Sequence, residues 1–150
     1  MITRAMRHIF AVAAGAVTVA NGCQRTARPA AMTVDATDYA FTAPDTVVAG
    51  ETAIAFRNKG MRRHEVKVIA LRPGSVLRTV MPLAMIDSGW SAFREPTSGI
   101  LTAGPGETTP GRLLIVFESG RTYLLVCSFA DAETAPLHSQ LGMIRALTVR

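Results

Sequence analysis

Short β-prone runs, each cut off by glycine, proline or asparagine, limit the folds open to this chain. Residues 33–41 are rich in β-formers and stop before Ala43-Pro44-Asp45. A brief run at 46–48 ends at Ala49-Gly50, and residues 52–58 alternate, with Ile54 and Phe56 on one face and Arg57 on the other. Asn58-Lys59-Gly60 reads as a turn, and the strong strand at 64–71 that follows closes at Arg72-Pro73-Gly74. Residues 113–118 and 122–127 flank Ser119-Gly120-Arg121, a hairpin signal, and 144–149 form the last run. About seven short strands with this punctuation predict an all-β Greek-key sandwich or barrel. Residues 75–109 break the rhythm. There, 76–85 reads as a helix, followed by a long Gly/Pro/Thr loop through Ala103-Gly104-Pro105-Gly106. Trp90 and Phe93 in this insert are either a docking patch or a satellite core.

The first thirty residues read as an address rather than a fold. Arg4 and Arg7 precede twelve uncharged residues from Ile9 to Ala20. A membrane-spanning helix needs about 20 apolar residues, so this run is too short to span and fits a secretory signal peptide. It ends at Ala20-Asn21-Gly22-Cys23, which resembles the lipobox of bacterial lipoproteins, where the cysteine is acylated and becomes the new N-terminus. The alternative is an ordinary secretory signal with a chance cysteine. The expected organisation is therefore a lipoprotein-type signal at 1–22, a flexible tether at 23–31 and a folded domain at 32–150. Lipidation at Cys23 would hold the protein on a membrane of the cell envelope, in the periplasm or its equivalent.

Composition closes other doors. The chain has 150 residues, one domain's worth, and 49% hydrophobic residues, enough for a real core. Two cysteines exclude a disulfide-stapled miniprotein. Net charge is +5, but Lys and Arg are scattered apart from Arg62-Arg63, and nucleic acid demands a continuous basic stripe. That arginine pair is either a solvated turn or an attraction for an acidic partner. No Ser-His-Asp or paired-carboxylate arrangement is readable, so no enzyme is expected.

Beyond the signal, which takes His8, and the tether, which begins at Cys23, the remaining chemistry lies in two histidines, one cysteine and a methionine. On the strand at 64–71, side chains alternate, so His64, Val66, Val68 and Ala70 share the inward face and Glu65 and Lys67 point away. Cys127 ends another strand and shares a face with Tyr123 and Leu125. A loop then carries His138 and ends at Met143, giving Cys-x(10)-His-x(4)-Met. Two imidazoles, a thiolate and a weak thioether form the trigonal blue-copper set; zinc favours four good donors, and a thioether is a poor one. Each residue also has a plainer reading. His64 can be a strand-end histidine, Cys127 a buried small hydrophobe, Met143 core filler and His138 an exposed loop residue. A Cys23–Cys127 disulfide is a further alternative for the thiols. Met61, Met81 and Met85 are either packing or a soft copper site.

From about residue 32 onward the chain resembles the cupredoxins of the plastocyanin and azurin type. The resemblance rests on Phe56-Arg57-Asn58-Lys59-Gly60, His64-Glu65-Val66, the run Gly120 to Cys127, His138, and Leu141-Gly142-Met143. It implies a Greek-key sandwich with a type 1 copper site whose ligands are His64, Cys127, His138 and Met143. It also implies one-electron transfer outside the cytoplasm; extracytoplasmic redox proteins are the expected partners, and a monomer is the expected state. His138 would be the exposed ligand, ringed by Pro136, Leu137 and Leu141. Glu65 stands where plastocyanin-like members carry an asparagine that ties the two ligand segments together. The ligand loop is longer than in plastocyanin or azurin and contains Asp131 and Glu133, so it is expected to hold its histidine less firmly. A copper-handling lipoprotein without fast electron transfer, and a metal-free interaction module, are the other functions this sequence allows.

Overall fold

A computed structural model describes residues 28–150. The signal segment, Cys23 and residues 24–27 lie outside them. The strands are β1 (Ala30–Thr37), β2 (Ala40–Thr42), β3 (Thr46–Val47), β4 (Gly50–Asn58) and β5 (His64–Leu71), then β6 (Arg94–Ala103), β7 (Leu113–Phe117), β8 (Thr122–Val126) and β9 (Ile144–Val149). A helix, α1 (Leu77–Met85), and a 3-10 turn at Trp90–Phe93 join β5 to β6. One sheet has the order β2-β1-β4-β7 and the other β3-β9-β8-β5-β6. Both are mixed, with β1 parallel to β4 and β3 parallel to β9. The all-β sandwich expected from the punctuation is the one observed.

The core forms because alternate residues of facing strands turn inward. Val34, Ile54, Phe56, Val66, Val68, Leu125 and Leu147 are fully buried between the sheets. The face assignment of β5 holds. Val66, Val68 and Ala70 enter this core, whereas Ile69 and Leu71 enter a second one on the outer face of the same sheet. There Leu124, Val126, Val80, Ala84 and Trp90 close over them. Trp90 and Phe93 therefore build a satellite core, and Met81 packs against it too. Among the described residues, no helix is long and apolar enough to cross a membrane.

Three local expectations need correction. Residues 33–41 are two strands, with β1 and β2 pairing antiparallel around a two-residue turn at Asp38-Tyr39. β1 begins at Ala30, paired to Thr52, so the last two residues assigned to the tether are strand. The long loop after α1 is largely a ten-residue strand, β6. Pro96 and Gly99 disguised it. β6 is a sheet edge with β5 as its one partner, and its pairing slips between Val68 and Ile69 and again before Leu71. An edge with bulges is where a residue lacking an N–H is tolerated.

Because Trp90 seals a core distant in sequence from both histidines, its loss separates stability from site chemistry. Trp90→Ala should lower unfolding free energy by about 3 kcal/mol in urea titrations, with metal binding unchanged in the folded protein. An unaltered midpoint would contradict the packing assigned to α1.

Candidate metal centre

The site is assembled at one end of the sandwich by the start of β5 and the loop between β8 and β9. Asn58 ends β4 and is buried. Its amide donates to the carbonyls of Arg62 (2.7 Å) and Ala103 (3.1 Å), and its Oδ1 accepts the Gly60 N–H (2.9 Å). The turn before His64 is thus tied to both neighbouring strands. Cys127 follows β8; its N–H donates to the Met143 carbonyl (3.1 Å), and its carbonyl accepts the Ser139 N–H (2.9 Å). His138 donates its N–H to the Phe129 carbonyl (2.7 Å), and an antiparallel bridge joins Ala130 to Leu137. The long loop is folded back on itself, so its length does not loosen His138 as expected.

These constraints bring His64, Cys127 and His138 together, all fully or almost fully buried. The two Nδ1 atoms are 3.1 Å apart, and Cys127 Sγ lies 3.4 Å from His138 Nδ1 and 4.0 Å from His64 Nδ1. Bonds from a metal to nitrogen and sulfur run about 2.0 and 2.3 Å, so a single ion can touch all three donors. Met143 is fully buried, and its main chain is bonded to both Cys127 and His138.

Burial disfavours the charged forms of two of the donors, Cys127 and His64. Burial pushes the Cys127 thiol up, against the N–H groups of Glu65 and Phe129 that favour the thiolate. Burial likewise lowers the His64 pKa, partly offset by Asp38. Glu65 N–H lies 3.5 Å from Cys127 Sγ as a donor.

Glu65 departs from its expected outward, unsupporting place. It is buried, and its Oε1 accepts the Ser128 N–H (3.0 Å) and pairs with Lys67 (3.0 Å). The carboxylate thereby ties β5 to the residue after Cys127, the role the family resemblance gives to asparagine.

His138 is not the exposed ligand that was expected. It is 1% exposed, with the Tyr39 ring edge-on to it at 5.1 Å and Asp131 Oδ1 3.2 Å from its Nε2. The Tyr39 hydroxyl donates to Asp131 Oδ2 (2.6 Å), which also holds that carboxyl below its ordinary pKa, and Arg62 approaches the same oxygen at 3.7 Å. Arg63 stacks over Phe129. Asp38 and Tyr39 had no place in the sequence reading; an Asp within a β-rich run is the only signal that marked this turn.

No protein-family model and no curated protein matches the sequence. Solved structures do match in shape. Dithionite-reduced auracyanin from Roseiflexus castenholzii superposes with a TM-score of 0.52 at 18% identity, covering 80% of this chain and 96% of that one. Auracyanin B gives 0.51 at 20% identity, over 82% and 91%. The fold is that of the cupredoxins. In this cupredoxin sandwich the His-Cys-His cluster sits at the end of β8, and its donor types are those of the type 1 copper set.

Glu65→Ala strips the partner from the part-buried Ser128 N–H and from Lys67, so unfolding of the metal-free protein should ease by about 1–2 kcal/mol. Glu65→Gln keeps an acceptor and should recover much of that loss in the same denaturant titration. Equal stability of the alanine variant and the parent would contradict the tie.

Proposed function

We propose that this protein is an extracytoplasmic one-electron carrier built on a type 1 copper site. The single observation that carries the reading is the convergence of two imidazole nitrogens and one thiol sulfur in a buried pocket. His64, Cys127 and His138 hold the ion in this reading, and Met143 supplies the weak fourth contact. Bound copper contributes exchange of one electron between its Cu(II) and Cu(I) states. The chain's own part is to fix the donors before the metal binds. β5 and β8 are neighbours in one sheet, the loop is locked to Phe129 and Cys127, and water is excluded. A rigid, dry frame changes little between oxidation states, which is what rapid electron transfer requires.

Redox proteins of the cell envelope are the partners in this reading, and acylation of Cys23 provides the membrane anchor for a monomeric domain. Arg62, Arg63, Met61, Phe129 and Asp131 line an open cavity of about 440 Å³ beside the cluster, a surface suited to an acidic partner. A second reading, copper holding and hand-over without fast electron transfer, is favoured by the covered edge of His138. Neither reading is enzymatic.

Titration of the purified metal-free protein with Cu(II), beside Cys127→Ser, separates the possibilities. The electron-carrier reading expects an intense visible copper–thiolate band at one equivalent, lost in the variant, and a reversible potential. Binding without that band or that reversibility would favour copper handling. Failure to bind at all would leave a cupredoxin-fold interaction module.

A further inference from the structure

One turn reaches over both imidazoles. The β1–β2 turn consists of Asp38 and Tyr39, and Tyr39 has φ +64, a left-handed backbone that a non-glycine residue adopts at a cost. Asp38 Oδ1 accepts the N–H groups of Met61 (2.9 Å) and Arg62 (3.2 Å) and lies 3.4 Å from His64 Nε2. Gly60 packs so closely on Asp38 that a Cβ would overlap its Oδ1, so the approach requires glycine. Tyr39 meanwhile holds Asp131, whose other oxygen faces His138 Nε2. Each ring therefore has a carboxylate on its distal nitrogen.

A carboxylate can only accept a hydrogen bond, so each one keeps the ring proton on Nε2. The Nδ1 of a neutral imidazole in that tautomer has only a lone pair. The two Nδ1 atoms face each other at 3.1 Å, and the one thiol near them among the described residues, Cys127, can offer a proton to only one of them. Left alone, such a pair would relax by moving a proton to one Nδ1 and bonding ring to ring, which would close the pocket. We propose that Asp38 and Asp131 are positioning residues that lock both imidazoles as Nε2–H tautomers, so that both Nδ1 lone pairs stay aimed at an incoming cation. Tyr39 acts through Asp131 by fixing its second oxygen. The purpose of the lock rests on the metal reading, but the tautomers are properties of the metal-free protein.

Two-bond ¹H–¹⁵N NMR of the full, metal-free chain, labelled at histidine and held at mildly alkaline pH, reads those tautomers directly. Both His64 and His138 should carry the proton on Nε2. Asp131→Ala should move His138 toward Nδ1–H, and Asp38→Ala should do the same for His64. Asp131→Asn, which keeps an acceptor for the ring and a partner for Tyr39, should restore the parent tautomer. In Cu(II) titrations the alanine variants should bind about 10–100-fold more weakly, with Asp131→Asn close to the parent. An Nδ1–H on either ring of the parent protein would overturn the proposal, whether or not any variant folds. Unchanged tautomers and copper affinity in Asp131→Ala would also overturn it. Locked tautomers in a protein that binds no copper would leave the lock standing and remove the copper reading; copper binding with unlocked rings would do the reverse.

Discussion

The end of β8 is the point on which the candidate site depends. Cys127 is wholly buried, its N–H is given to Met143 and its carbonyl takes the N–H of Ser139. Both bonds tie the start of the loop to its far end. They act with the Phe129–His138 bond and the Ala130–Leu137 bridge to hold His138 and Met143 in place relative to the thiol. The next strand completes the restraint, because Glu65 N–H reaches Cys127 Sγ while its carboxylate holds Ser128. One residue on β5 thus fixes both the sulfur and the chain beyond it. Restraints of this kind matter because buried polar groups are costly unless bonded. A pocket made of them has few alternative arrangements.

Charge is arranged in layers around this point. Burial raises the Cys127 thiol and lowers His64, so it works against charge on both of these inner groups. Asp38 and Asp131 form an outer anionic layer. Partial burial works to raise Asp38, but the N–H groups of Met61 and Arg62 together with His64 hold it below the ordinary carboxylate value. The half-exposed carboxylates therefore lie between the buried rings and solvent, on the far side of each ring from the thiol. Arg62, beside Asp131, moderates that charge at the surface. The helical part of the insert plays no part in this, since α1 and Trp90 pack on the outer face of the five-stranded sheet.

Much of the inner site was legible in the sequence because it depends on strand periodicity and loop spacing. His64 on an inward face and Cys127 at a strand end both follow from alternation over residues 64–71 and 122–127. The outer layer was not legible. Tyr39 is a strong β-former and no glycine marks the turn, so 33–41 read as one strand; tertiary contacts with Asp131 and His138 override that local preference. Glu65 alternates outward by count, yet its carboxylate is long enough to reach back to Ser128. β6 was hidden by Pro96 and Gly99, residues that an edge strand accepts and a central strand would not. What was missed in each case was a contact between residues far apart in sequence, which composition and periodicity do not encode.

The central claim is that His64, Cys127 and His138 bind one copper ion together. X-ray absorption spectroscopy at the copper edge, on protein loaded with one equivalent, tests it most directly. A single short copper–sulfur bond and two imidazole nitrogens around the same ion are expected. A copper environment of nitrogen and oxygen alone, with no bonded sulfur, would contradict it.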